Sequence, residues 1–189
     1  MWDQELFLQL NFDGGATMDN IMLFISGKTS WIPLYVLILA LVWRKDGWRS
    51  ALLLAVTIGL AVGMSDLVAG IFKHTGPLKD LWAEFPARLR PMHTPELEGI
   101  VHFVKKGGQF GTVSAHAATA LSIGLISSFA IKKWWFAILM MIQLLLVCYS
   151  RIYLGYHFPQ DILLGLSIGT LSGYLMYQIY KPLNKKIRR

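Results

Sequence analysis

Cysteine is nearly missing from this chain: Cys148 stands alone among 189 residues, which excludes an intramolecular disulfide and leaves that thiol to pack as a small apolar group. Charge is scarce as well. Asp, Glu, Lys and Arg make up 15% of the residues, where a soluble domain carries about 25%, so an ordinary water-soluble surface is excluded. Acidic groups are the scarcer kind, 11 against 18 basic, for a net charge of +7 and a pI near 9.6. Such a balance in a soluble protein suggests nucleic acid. Here the basic residues sit in short connections between apolar runs, so no nucleic-acid partner is expected and membrane orientation accounts for them. No pair among the five histidines has a close helical ligand spacing with a carboxylate partner, so neither a metal nor another cofactor is expected. The N-terminal stretch MWDQELFLQLNFDGG lacks the basic and apolar regions of a cleavable signal peptide. No internal repeat or low-complexity tract is evident.

What remains is apolar: 54% of the residues are hydrophobic and the mean hydropathy is +0.48. A crossing helix takes about 20 mostly apolar residues. Five segments fit, near 30–43, 50–72, 114–131, 134–150 and 160–180, and the expected fold is an all-α bundle of five to six transmembrane helices in one domain, 1–189. Residues 3–10 and 17–26 are apolar on one side and short, and read as helices lying at the interface within 1–28. A sixth crossing through 3–26 stays open, although Asp13, Gly14, Gly15 and Asp19 disfavour it.

Arg44, Lys45, Arg49, Lys132, Lys133, Lys181, Lys185, Lys186, Arg188 and Arg189 all fall on one side of a five-span arrangement. The positive-inside rule makes that side cytoplasmic. The long 73–113 segment and the 150–160 connection then face outward, so the expected location is a bacterial inner membrane with the chemistry on its outer face.

Three outward segments carry polar residues. SRIYLGYHFPQD, Ser150 to Asp161, puts Pro159 in the first turn of a helix and His157 just before it. Asp161, four residues on, reaches one ring nitrogen of His157 and leaves the other free as a nucleophile. Arg151 supplies a planar fork for phosphate oxygens. GTVSAHAA, Gly111 to Ala118, opens a helix whose N-terminal amides and Ser114 hydroxyl suit an anion, with His116 placed as a general acid. ARLRPMH, Ala87 to His93, follows Lys73 at the end of the second span. Of the other polar groups, Asp66 and Ser65 read as bonds to a neighbouring helix, and Trp134 with Trp135 as an interface belt.

These segments resemble the type-2 phosphatidic acid phosphatase superfamily over roughly 65–175. SRIYLGYHFPQD fits its Ser-Arg, five residues, His, three residues, Asp pattern; VSAH stands where that family has Pro-Ser-Gly-His, with Val113 for proline and Ala115 for glycine; RLRP stands where it has a Lys, six residues, Arg-Pro. The resemblance implies a metal-independent membrane lipid phosphatase. His157 would attack phosphorus, Asp161 would orient it, and His116 would protonate the leaving group, giving a phosphohistidine that water hydrolyses. Lys73, Arg90, Ser114, Arg151 and the amide near Ala115 would hold the non-bridging oxygens. Ala83 occupies the family's lysine position, with six residues between it and Arg90. Lys73 fills the role if about ten residues (TGPLKDLWAE) are inserted after it; Lys79 competes, and Arg88 is a third substitute. Leu81, Trp82 and Phe85 in that insertion would form a lip touching lipid.

By the same resemblance the substrate is a lipid phosphate or diphosphate, undecaprenyl diphosphate or phosphatidylglycerophosphate first and lipid A phosphate next, with membrane lipids as the surroundings. Two alternatives stay open: transfer of the phosphoryl group to another lipid, and a catalytically impaired lipid-phosphate binder or transporter. The sequence sets no oligomeric state.

Overall fold

The structure, a computed structural model, describes residues 2–188. Arg189, one of the ten basic residues above, lies outside them. Seven α-helices account for most of it: α1 Trp2–Leu10, α2 Gly15–Ser26, α3 Ile32–Asp46, α4 Trp48–Ile71, α5 Ala115–Ile131, α6 Trp134–Tyr153 and α7 Pro159–Ile187. Among the described residues there is no strand, only a single antiparallel bridge between Leu89 and Phe110.

Helices α4, α6 and α7 are each long and apolar enough to cross a bilayer, and α2 with α3 adds a fourth candidate crossing as a pair bent by 71°. The bend has a local cause. Gly27 ends α2, and the last carbonyls of that helix are taken by side chains from beyond the break: Ser30 Oγ donates to Phe24 and Trp31 Nε1 to Ile25 at 2.8 Å. Pro33 then opens α3 in its first turn, where the missing N–H is harmless. Helix α5 has 17 residues and is about 25 Å long. It packs against α3, α4, α6 and α7 and has buried residues on every side, from Ala117 to Ile131. It is the central post of the bundle, and its neighbours meet the lipid.

The closest packing is between α5 and α7. Gly165, Gly169 and Gly173, four residues apart, lie against Ser114, Ala118 and Ser122, also four apart; a Cβ at Gly169 would collide with the backbone carbonyl of Ala118. Stripes of small residues at this spacing let two helix backbones approach within a bilayer, where van der Waals contact replaces the hydrophobic effect as the associating force. Beside them Ser65 on α4 and Ser172 on α7 share a buried 2.8 Å hydrogen bond. This is the helix-to-helix role expected of Ser65. Asp66, by contrast, bonds no neighbouring helix among the described residues: it is half-exposed and 4.0 Å from Lys28.

At one end of the bundle the basic segments meet. Lys45 Nζ donates to the Ala130 and Ile131 carbonyls at 2.8 and 3.2 Å, and Arg188 Nη1 lies 3.1 Å from Asp46. At the other end the N-terminal segment is pinned down. Asn11 Nδ2 lies within hydrogen-bond reach of the His102, Ile152 and Tyr153 carbonyls, and Asn11 Oδ1 accepts from the His102 N–H. Phe7 of α1 is fully buried against Phe158, ring centroids 5.2 Å apart.

Replacing Gly169 with leucine forces α5 and α7 apart. The expected loss is about 1–3 kcal/mol, the usual range for overpacking a filled core, read as a lower midpoint of unfolding in detergent. An unchanged midpoint would show that the two stripes do not interdigitate.

Candidate active site

The site forms where α5 and α7 begin side by side. Ser114 is the N-cap of α5; its backbone N–H donates to the Asp161 carbonyl at 2.9 Å and its Oγ accepts from Ala117 N–H at 3.4 Å. The side-chain proton of Ser114 is therefore free to donate elsewhere. On α7, the Asp161 carboxylate turns back and accepts the Phe158 N–H at 2.9 Å through Oδ2, satisfying one of the amides that open the helix.

His157 lies in the turn before α7 and is buried. Its Nδ1 donates to the Gly111 carbonyl at 2.9 Å, while Asp161 Oδ2 stands 3.5 Å from the same nitrogen. The geometry thus refines the expectation that Asp161 takes the ring proton. The carboxylate oxygen is already engaged by the helix cap, and the hydrogen bond goes to a carbonyl from the long loop. Both neighbours are acceptors, so the proton is on Nδ1 and Nε2 keeps its lone pair. Gly111 is required there, because a Cβ would stand 2.8 Å from Arg90 Cγ.

The loop reaches His157 by folding on itself. Arg90 N–H donates to the Gln109 carbonyl at 3.0 Å, Gly111 N–H to the Arg88 carbonyl at 2.8 Å, and Arg88 N–H to Thr112 Oγ1 at 2.8 Å. This pairing delivers Arg90, whose Nε donates to the Phe110 carbonyl at 3.1 Å. Arg151 arrives from the last turn of α6, almost wholly buried; its Nη1 donates to Ser26 Oγ, and its backbone carbonyl accepts the Tyr156 and His157 N–H groups at 3.0 and 3.2 Å.

Electrostatics bring Lys73 into the same group. Burial and then the charge of Arg90 push the Lys73 ammonium down to about 8, with Arg151 and Lys28 adding to the effect and Asp66 opposing it. Arg90 is itself lowered from the ordinary arginine value, first by burial. His157 is held well below the ordinary histidine range by burial and by the charges of Arg151, Arg90 and Lys73, in that order, with the Gly111 bond opposing. Three cations converge on one neutral imidazole. Lys79 is exposed in the turn beyond, as is Ala83 at the spaced position. Arg88 faces another way: its Nη1 is 2.5 Å from Asp3 Oδ2 and 3.7 Å from Asp161 Oδ1, with its guanidinium 3.8 Å above the Phe158 ring. It braces the Asp161 carboxylate from behind and does not stand in for the lysine.

His116, in the first turn of α5, lines a small cavity of about 30 Å³ together with Lys28, Trp31, Thr119 and Gln143. The remaining histidines are engaged elsewhere: His74 Nε2 with the Phe85 carbonyl at 2.9 Å, His93 Nε2 with the Gly107 carbonyl at 3.1 Å, and His102 Nε2 with Asp19 at 2.8 Å. Asp13 also approaches His102, but Asp19 is shared with the Tyr153 hydroxyl at 2.8 Å, so this cluster is a latch for the N-terminal segment. Leu81 and Trp82 are exposed, and Trp82 and Phe85 pack with Phe72 at the end of α4.

Four residues were missed by the sequence reading. Tyr156 lies between the arginines, its ring centroid 4.1 Å from the Arg151 guanidinium and 5.5 Å from that of Arg90; an aromatic next to the nucleophile was the available signal. Gln143 is a buried polar residue in mid-span, with no partner for Oε1 among the described residues, and a lone polar group in an apolar helix marks function by default. Ser26 and Asp3 come from 125 and 157 residues away from Arg151 and Gln160, which they bond. No local signal announces either.

Known proteins resemble this chain along most of its length. The PAP2 superfamily matches residues 50–185. A lipid A 4'-phosphatase of Bacteroides thetaiotaomicron is 30% identical over 98% of this chain and 80% of its own length. An undecaprenyl-diphosphatase of Sulfolobus acidocaldarius is 26% identical over 93% of this chain and 77% of its own. In fold, the crystal structure of a transmembrane PAP2-type phosphatidylglycerolphosphate phosphatase from Bacillus subtilis superposes with a TM-score of 0.65 at 24% identity, covering 99% of this chain and 86% of that one. With a family match over most of its length, apolar crossing helices and near full-length relatives, this chain is an integral membrane protein and belongs to the PAP2 superfamily of lipid phosphatases.

Proposed function

We propose that this protein removes a phosphate from a lipid at the outer face of a bacterial inner membrane, through a phosphohistidine on His157. One observation carries the reading: His157 has Nδ1 tied to the Gly111 carbonyl and beside Asp161, which leaves Nε2 as an unprotonated nucleophile among three cations. Nε2 attacks phosphorus and the bond from phosphorus to the lipid oxygen breaks, with His116 giving its proton to that oxygen. Lys73, Arg90, Arg151, the Ser114 hydroxyl and the amide of Ala115 hold the non-bridging oxygens as charge spreads over them. Donors fixed before the reaction stabilise that charge without reorganising. Water then attacks the phosphohistidine, His116 takes its proton, and inorganic phosphate leaves. Asp161 and Arg88 behind it act by positioning. The whole chain forms one domain, with 73–113 as its outer loop and the basic end in the cytoplasm by the positive-inside rule.

The substrate class is a membrane lipid carrying a phosphate or diphosphate. The near full-length likeness to a lipid A 4'-phosphatase raises a lipid A phosphate from last to first among the candidates, and undecaprenyl diphosphate follows.

Phosphate release from these lipids by the purified protein in detergent is expected to survive EDTA. It should fall by at least a thousand-fold in His157→Ala, as for removal of other nucleophiles. Release from none of the lipids sinks the phosphatase reading, and release unaffected by the substitution means another nucleophile.

Lys73→Ala is expected to lower kcat/KM about 10²-fold, in keeping with the loss of one oxyanion donor, while Lys79→Ala leaves it unchanged. The reverse pattern would transfer the role to Lys79.

The pH profile of kcat/KM reports the free enzyme. His157 must be neutral to attack and its pKa is depressed, so activity persists on the acid side through the ordinary histidine range. Lys73 must be charged to bind, so its deprotonation adds a fall in activity as pH rises through about 8, beside the loss of the proton that His116 gives. Lys73→Arg is expected to carry that alkaline fall upward; a fall that stays in place assigns it to another group.

A further inference from the structure

Resting on the phosphatase reading, we infer that the hydrocarbon chain of the substrate lies in the groove between α3, α4 and α5, with Lys28 at its mouth meeting the anionic headgroup. The groove has a volume of about 360 Å³ and is lined by Tyr35 and Ile38 of α3, Ile58, Gly59 and Val62 of α4, and Ile123 of α5, with Lys28 above them. Its position is what distinguishes it. Lys28, Tyr35 and Thr119 line both this groove and the small cavity that contains His116. On α5, Ile123 lies seven residues inward from His116, about 10 Å along the helix. A lipid whose leaving oxygen sits at His116 therefore has an apolar channel running directly from that atom toward the middle of the bundle.

The other apolar groove on α5, toward α6, is smaller at about 210 Å³ and shares only Ala120 with the His116 cavity. Lys28 is the polar half of the argument. Its side chain is 76% exposed and its nearest acid, Asp66, is 4.0 Å away and itself 44% exposed. Such a pair is weak in water and leaves the ammonium available. Its charge is also felt at Lys73, which places it within the field of the phosphate site. It stands at the 71° break between α2 and α3.

Gly59 gives the test its handle. A Cβ built there meets nothing within 4 Å, and Gly59 lines the groove, so Gly59→Phe adds bulk at the groove wall without a collision at Cβ. The experiment measures kcat/KM for phosphatidic acid with hexadecanoyl chains and for its water-soluble butanoyl counterpart in the same detergent. The wild type, Gly59→Phe, Val62→Phe and Ala137→Phe, which fills the α5–α6 groove, are compared. The ratio of long-chain to short-chain kcat/KM is expected to fall at least tenfold in Gly59→Phe and Val62→Phe and to stay at the wild-type value in Ala137→Phe. Lys28→Gln is expected to raise KM three- to tenfold for both esters while kcat changes less than twofold. A ratio unchanged in both groove variants overturns the inference, and so does a parallel loss on both esters, which marks a folding defect rather than a blocked chain. A fall confined to Ala137→Phe moves the chain to the other groove and overturns it as well. His157→Ala keeps the two levels apart: release that vanishes in it upholds the phosphatase reading whatever the groove variants do, and wild-type protein inert toward both esters while it releases phosphate from lipid A overturns the inference and leaves that reading standing.

Discussion

The close passage of α5 along α7 is the constraint on which the outer end of this molecule depends. Glycine at 165, 169 and 173 against Ser114, Ala118 and Ser122 fixes the axial register of the two helices as well as their separation, because small residues of one face fit only the small residues of the other. The register sets both N-termini at one level. The Ser114 amide meets the Asp161 carbonyl, so the helix that presents Ser114 and His116 and the helix that follows His157 start together. A slip of one turn, about 5.4 Å, would separate the proposed nucleophile from the proposed acid while leaving every helix intact. The stripe holds the register along the length of α5, while the Ser114 amide at one end and the Lys45 bonds to the Ala130 and Ile131 carbonyls at the other tie it to its neighbours.

A second constraint opposes the first. Arg90 and Arg151 stand close enough to Lys73 to lower it, and burying a charge is expensive unless it is paired. The acids available face other groups: Asp161 is between Phe158, His157 and Arg88, and Asp66 is beside Lys28. Tyr156 offsets part of the repulsion by laying its ring beside both guanidiniums, and Ser26 occupies one arm of Arg151. The remainder is unrelieved until an anion enters. This is the arrangement expected of a preorganised phosphate site, in which donors are held in place by the fold before the reaction develops charge. The N-terminal end of α5 adds backbone dipoles of the same sign.

What the sequence shows of this and what it hides divide along contact distance. The His157-to-Asp161 spacing, the proline that starts α7 and the serine that caps α5 are local, and each was legible because helix entry has its own residue chemistry. The apolar windows placed all five long helices for the same reason. Lys73 was preferred over Lys79 by its place at the end of a span; it is half-buried there, and Lys79 is exposed. The Gly111 carbonyl could not be read: any residue carries a carbonyl, and only the folded loop decides which one faces His157. The place of Arg88, named in the sequence only as a third substitute for the lysine, could not be read because its partner, Asp3, is 85 residues away.

That segment changes how the chain is divided. The family match begins at residue 50, and the resemblance in the motifs begins later still. Yet Asp3 grips Arg88 and the Gln160 amide, Asn11 holds the loop to the end of α6, Ser26 takes an arm of Arg151, and Lys28 stands over the groove. The shared core supplies chemistry common to many phosphate esters, and a fold of this kind does not by itself select a substrate. Selection requires contacts beyond the phosphate. In this molecule the groove proposed to make them has Lys28, Tyr35 and Ile38 of the first 49 residues on one side and Ile58, Val62 and Ile123 of the matched core on the other. The first 49 residues are joined to the core through side chains that also position Arg151 and Asp161. A change in the N-terminal segment therefore acts on recognition and on the reacting groups together, through the same few hydrogen bonds.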